Sequence, residues 1–109
     1  MANEKISQLQ LLEQGMQSFN MQKQQLQARI LENESALEEL DGTDTSYKII
    51  GNIMVKIDKD KLKKDIEEEL KSTEIRIKAV EKQESSMKEK AKKLQQEVME
   101  EMKNDRSTN

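Results

Sequence analysis

The chain alternates between two polar stretches with heptad patterning and one short apolar ribbon between them. In the first stretch, residues 4–40, one position of the heptad holds Leu9, Met16, Lys23, Ile30 and Leu37, and its partner holds Leu12, Phe19, Leu26, Asn33 and Leu40. This three-and-four spacing is the seam of a left-handed coiled coil. Eight of the ten seam positions are apolar, and Lys23 and Asn33 interrupt them. The second stretch, residues 59–103, has a seam of Ile66, Leu70, Thr73, Ile77, Val80, Glu84, Met87, Ala91, Leu94 and Val98, interrupted by Thr73 and Glu84. The pattern predicts helices over 4–40 and 59–103, with residues 104–109 as a disordered tail. Gly15 weakens the first helix by roughly 1 kcal/mol relative to alanine. Gly42 is placed to end it in a left-handed C-cap, and Asp58 to cap the second helix.

The ribbon is Tyr47-Lys48-Ile49-Ile50-Gly51-Asn52-Ile53-Met54-Val55-Lys56-Ile57. Gly51-Asn52 between two β-branched runs is a tight-turn signal, which predicts a hairpin over 46–57. Its register then pairs Ile50 with Ile53, Ile49 with Met54, and Lys48 with Val55. One face presents Ile50, Ile53, Val55 and Ile57, and the other Tyr47, Ile49 and Met54. Both faces are largely apolar, and an isolated two-stranded hairpin is marginal in water with two open edges. A hairpin of this kind needs partners from other chains.

The short connection predicts antiparallel pairing of the helices. With Leu40 opposite Leu62 or Lys63, Ile30 meets Thr73, Phe19 meets Glu84, and Leu9 lies beside Leu94. Helices of these lengths would span roughly 55 and 65 Å and project as a rod. The fold class expected is mainly α: a long antiparallel two-helix coiled coil with one β-hairpin between the helices, the hairpin assembling into an intersubunit β-barrel.

Composition narrows the function classes. The 109 residues form one unit that is only 33% hydrophobic, 38% charged and nearly free of aromatics, which argues against a compact globule. A net charge of -3 disfavours nucleic acid as a partner. With no cysteine and no histidine there is no disulfide, no thiolate zinc site and no imidazole base. No apolar run approaches the ~20 residues that span a bilayer, and the N-terminal residues lack the apolar core of a signal peptide. The expectation is a cytoplasmic protein that is not an enzyme, with no catalytic residue, cofactor, metal, nucleic acid or membrane partner.

Three segments carry a resemblance: Gln22-Lys23-Gln24-Gln25-Leu26, the hairpin Tyr47–Lys56, and Arg76-Ile77-Lys78-Ala79-Val80-Glu81-Lys82-Gln83-Glu84. Together, and in this order, they resemble the β-class subunits of prefoldin, the cochaperone also called GimC. The single hairpin favours the β class over the α class. The resemblance implies an α2β4 hexamer whose hairpins, here Tyr47, Ile49, Ile50, Gly51, Asn52, Ile53, Met54, Val55 and Ile57, build a double β-barrel. It implies an ATP-independent chaperone that holds unfolded polypeptides at coiled-coil tips and delivers them to a group II chaperonin.

The chain ends fit that expectation. Ile6, Leu9, Leu11 and Leu12 crowd the start, and Val98, Met99 and Met102 crowd the end. Ile6, Leu11 and Met99 lie off the seam, and methionine adapts to many apolar partners. These seven residues are the expected substrate-binding tips. Lys88-Glu89-Lys90-Ala91-Lys92-Lys93 reads as a solvated helix face. Met21 and Leu31 are also off the seam and have no assigned role. The competing reading is a structural coiled-coil adaptor or tether, which has the same heptads but no use for an apolar hairpin.

Overall fold

The structure is a computed structural model that describes the backbone of residues 2–108 and the side chains of residues 3–104. Helix α1 (Ala2–Asp41) leads into strands β1 (Ser46–Ile50) and β2 (Ile53–Ile57), and helix α2 (Lys59–Thr108) follows. The chain divides into two compact units: residues 25–78, and residues 1–24 together with 79–109.

In the unit of residues 25–78, β1 and β2 form a two-stranded antiparallel sheet with the register Ser46↔Ile57, Tyr47↔Lys56, Lys48↔Val55, Ile49↔Met54 and Ile50↔Ile53. This is the register that the turn dictates. Gly51 has φ 61°, and no non-glycine residue has a positive φ among those described. A left-handed first turn residue followed by a right-handed second one is the II′ type, which matches the twist of the strands and requires glycine at its first central position. At the base of the hairpin the Ser46 hydroxyl donates to the Ile57 carbonyl at 2.7 Å, and Ser46 is buried there.

The end of α1 departs from the sequence expectation. Gly42 does not take the left-handed conformation. Instead the Gly42 and Thr43 amides donate to the carbonyls of Glu39 and Leu40, each at 3.2 Å, and the Thr43 hydroxyl donates to Glu39 O at 2.7 Å. These bonds satisfy the last carbonyls, so no glycine cap is needed. The last turn of α1 holds no basic residue. Lys59 Nζ donates to Asp41 O at 3.5 Å, and Lys63 lies 3.8 Å from the Asp41 carboxylate. Two cations from α2 thereby sit at the negative end of the α1 dipole. The start of α2 is as expected: the Asp58 carbonyl accepts its first bond, from the Leu62 amide at 3.0 Å. Leu26, Leu40 and Ile77 are buried in this unit, all three seam residues.

In the other unit, α1 and α2 pair antiparallel. Lys5 meets Glu97 and Glu101, whereas Lys23, further along α1, meets Glu84, earlier on α2. Val80, Ala91 and Val98 are buried along this seam. Helix α2 does not stop at residue 103. Its backbone is helical through Thr108, so the expected tail of 104–109 is replaced by helix up to the last described residue. The physical reason is that no glycine or proline follows Gly51, so nothing in the sequence breaks the backbone ladder.

The four polar interruptions of the seams have separate fates. Lys23 and Glu84 answer each other at 3.1 Å, both half-buried. Sequence pairing placed Phe19 opposite Glu84; Lys23, one helical turn further along α1, brings its ammonium to that carboxylate along a long stem. Thr73 is buried and its hydroxyl returns to the Glu69 carbonyl of its own helix at 2.8 Å. Asn33 keeps a buried Nδ2 that makes no hydrogen bond.

Candidate functional site

Two exposed apolar surfaces stand out, one in each unit. The hairpin is the first. Apart from Ser46 and the half-buried Ile57, every strand residue is exposed, with Ile49 at 69% and Ile53 at 66%. Because paired residues share a face, Lys48, Ile50, Ile53, Val55 and Ile57 lie on one side and Tyr47, Ile49, Met54 and Lys56 on the other. Neither face folds back onto the helices. Each strand has one neighbour only, so both outer edges keep unpaired backbone groups. Such a surface can pair with further strands and be covered on both faces.

The second surface belongs to residues 1–24 and 79–109. Leu11 is 67% exposed and Met99 71% exposed, and Ile6 and Met102 are also exposed. Leu9 and Leu12 are half-buried. Val98 is buried within the helix pair, the one buried residue of the seven expected at the tips. A groove of about 550 Å³ opens between the helices. Leu11, Leu12, Met87 and Leu94 supply its apolar wall, and Gln8, Lys90, Lys93 and Glu97 its polar lining. Met99 and Met102 border a separate depression with Glu100 and Lys103.

Gly15 explains part of this shape. A Cβ at that position would come within 2.8 Å of Met87 Cε and 3.0 Å of its Sδ. The missing side chain therefore lets Met87 lie directly against α1. Sequence reasoning treated Gly15 as a defect and Met87 and Leu94 as ordinary seam residues. The available signal was a helical glycine beside the seam residue Met16, where an absent side chain permits a close approach.

The electrostatics of this unit centre on Lys5. Its ammonium donates to Glu101 and lies 3.4 Å from Glu97. The hydrogen bond to Glu101 raises the Lys5 pKa above its ordinary value, partial burial opposing it. The same bond holds the Glu101 carboxyl below its ordinary value. Three further apolar residues on the helices, Met21, Leu31 and Ile75, are exposed, as a share of apolar side chains is on most protein surfaces. Among the described residues no three or more Asp or Glu side chains gather as a metal site, and no helix is long and apolar enough to cross a membrane.

These features recur in known proteins. The family model for prefoldin subunits matches residues 3–105. The β subunit of prefoldin from Archaeoglobus fulgidus is 38% identical over 96 residues, covering 85% of this chain and 83% of that one. The β subunit from Methanospirillum hungatei is 36% identical over 100 residues, covering 89% and 83%. The crystal structure of the prefoldin β subunit from Thermococcus strain KS-1 superposes with a TM-score of 0.84 at 30% identity, covering 91% of this chain and 90% of that one. The chain belongs to the prefoldin subunit family, a family of chaperone subunits.

Proposed function

We propose that this chain is a β-type subunit of an α2β4 prefoldin hexamer in the cytoplasm, and that it holds unfolded polypeptides without ATP for delivery to a group II chaperonin. The observation that carries the reading is the pair of exposed apolar surfaces of different construction. The hairpin has two uncovered faces and two open edges, and joining other hairpins in a barrel would cover the faces and pair the edges. The residues near the chain ends offer apolar side chains on helices whose backbone is already satisfied. Each buried leucine or methionine contributes roughly 1.5–3 kcal/mol, so one subunit binds a client weakly. Several subunits acting on one client multiply that through effective concentration.

Ile6, Leu9, Leu11, Leu12, Met99 and Met102 are the client contacts in this reading, with Val98 supporting them from the seam. Serine in place of Ile6, Leu11, Met99 and Met102 removes exposed side chains only. The variant is expected to keep its helicity and its assembly with an α-class subunit, and to lose suppression of aggregation of a denatured client. A variant that protects the client as well as the parent does would place the holding surface elsewhere. A coiled-coil tether predicts no protection by either protein.

A further inference from the structure

The groove bordered by Leu11, Leu12, Met87 and Leu94 has a lopsided electrical rim. From α1 it receives only the neutral Gln8 as a polar residue, and from α2 it receives Lys90, Lys93 and Glu97. Glu97 is engaged by Lys5 at 3.4 Å. Lys90 and Lys93 have no ion pair among the described residues. The chain as a whole is acidic, with net charge -3. Lys5 is shared with Glu101, so the rim sets two ammonium groups against one carboxylate beside an apolar wall, a local reversal of sign. Lysine stems lie along apolar surface while their charged heads stay in water, so these two cover the edge of the groove without filling it.

We infer that this groove accepts unfolded segments whose apolar residues are flanked by acidic ones. The inference rests on the holding function proposed above and names the chemistry that the site favours. The apolar residues of the segment bury against Leu11, Leu12, Met87 and Leu94, and its carboxylates sit within reach of Lys90 and Lys93. Solvent-exposed pairs are individually weak, so the charges select among clients while the apolar wall provides most of the affinity. Segments flanked by lysine or arginine meet like charge and are disfavoured.

The test uses the full-length chain and three fluorescent peptides that share one leucine- and phenylalanine-rich core, with aspartate, serine or lysine flanks. Anisotropy titration at low salt is expected to show the aspartate peptide binding about five-fold more tightly than the serine peptide, from two exposed pairs. The lysine peptide falls below both, and high salt collapses the series. Lys90→Gln with Lys93→Gln removes both charges while keeping two methylenes of each stem, and is expected to equalise the three peptides. Lys90→Glu with Lys93→Glu reverses their order, with unchanged helicity by circular dichroism. A parent protein that binds all three equally, yet still suppresses client aggregation, overturns the charge selection and leaves the holding function standing. Absence of binding to every peptide, together with no suppression of aggregation, overturns both. A change of oligomeric mass in the charge-reversed variant assigns the groove to contact between copies and equally overturns the inference.

Discussion

The hairpin and the chain-end region both expose apolar side chains, yet they are built from different materials. The hairpin's exposed apolar residues are mostly β-branched isoleucine and valine on strands with open edges. β-Branched side chains are stiff, and an unpaired edge asks for one particular strand at one particular register. Apart from Ile6, the chain-end surface is leucine and methionine on α-helices, where no backbone group seeks a partner except at the termini. Its side chains are flexible and polarizable. One surface suits a permanent, specified neighbour, and the other suits many transient ones. The difference is visible in residue type and backbone state before any partner is considered.

The sharpest way to break this comparison is to charge the hairpin. Ile50 and Ile53 face each other across the turn end of the sheet. If that face becomes a barrel wall, lysine at both positions buries two unpaired charges, at a cost of several kcal/mol. Both residues are exposed in the single chain, so its own helices are untouched. Light scattering is expected to show loss of the oligomer while circular dichroism shows the helices intact. An oligomer of unchanged mass would mean that the hairpin is not the assembling element.

How much of this was legible in the sequence differs between the two regions. The hairpin register was readable to the residue, because a two-residue turn with Gly51 leaves one solution and the side-chain period is two. The heptads gave the helix pair, and the short connection gave its antiparallel sense. They did not give the partner of Glu84, because seam counting treats a lysine as a gap, whereas its stem carries the charge far enough to choose its own neighbour. Nor did they give the groove. Met87 and Leu94 sit at seam positions and remain only half-buried, and Gly15 permits that geometry through what it lacks. The C-cap expected at Gly42 failed because Thr43 supplied an alternative through its hydroxyl. The helix runs on to Thr108 because no glycine or proline breaks it, although the polar composition of that segment reads as a tail.

The Lys23–Glu84 pair separates helix pairing from assembly. Each side chain is well under a third exposed. Lys23→Leu leaves Glu84 unpaired in the seam and is expected to cost about 2 kcal/mol, between the values for exposed and fully buried pairs. Lys23→Leu with Glu84→Leu restores an apolar layer and is expected to regain that stability or exceed it. Urea unfolding of the four proteins of the cycle measures this, with oligomer mass unchanged throughout. A silent single variant would show that the pair behaves as an exposed one.

Gly15 sharpens the chain-end side at lower energy. Alanine there gains up to about 1 kcal/mol of helix propensity. The new Cβ displaces only the flexible end of Met87, so most of that gain is expected to survive as a higher melting temperature. The shifted Met87 narrows the groove, and client holding is expected to weaken while the oligomer mass stays unchanged. A drop in melting temperature would show that Met87 is fixed in place by its surroundings.

The smallest effect is electrostatic and tests whether the two regions respond independently to pH. Glu101 has a folded pKa below its ordinary 4.5, so the pair's contribution is present above that value and is lost as pH falls through the folded value. Lys5 has a folded pKa above its ordinary 10.5, so the contribution is present below that value and is lost as pH rises through the folded one. The pair therefore stabilises the chain-end unit between these limits. Glu101→Gln is expected to lower the melting temperature slightly at neutral pH, and the gap to the parent closes in acid, where the parent's carboxyl is protonated too. Added salt narrows the gap at neutral pH, since the groups remain partly accessible to solvent. Proteolysis read by mass spectrometry is expected to register the loss as earlier cleavage near the chain ends, with the hairpin's cleavage sites unchanged. Equal sensitivity at both places would show that the two regions unfold as one cooperative element, and that their different surfaces are not matched by separate stabilities.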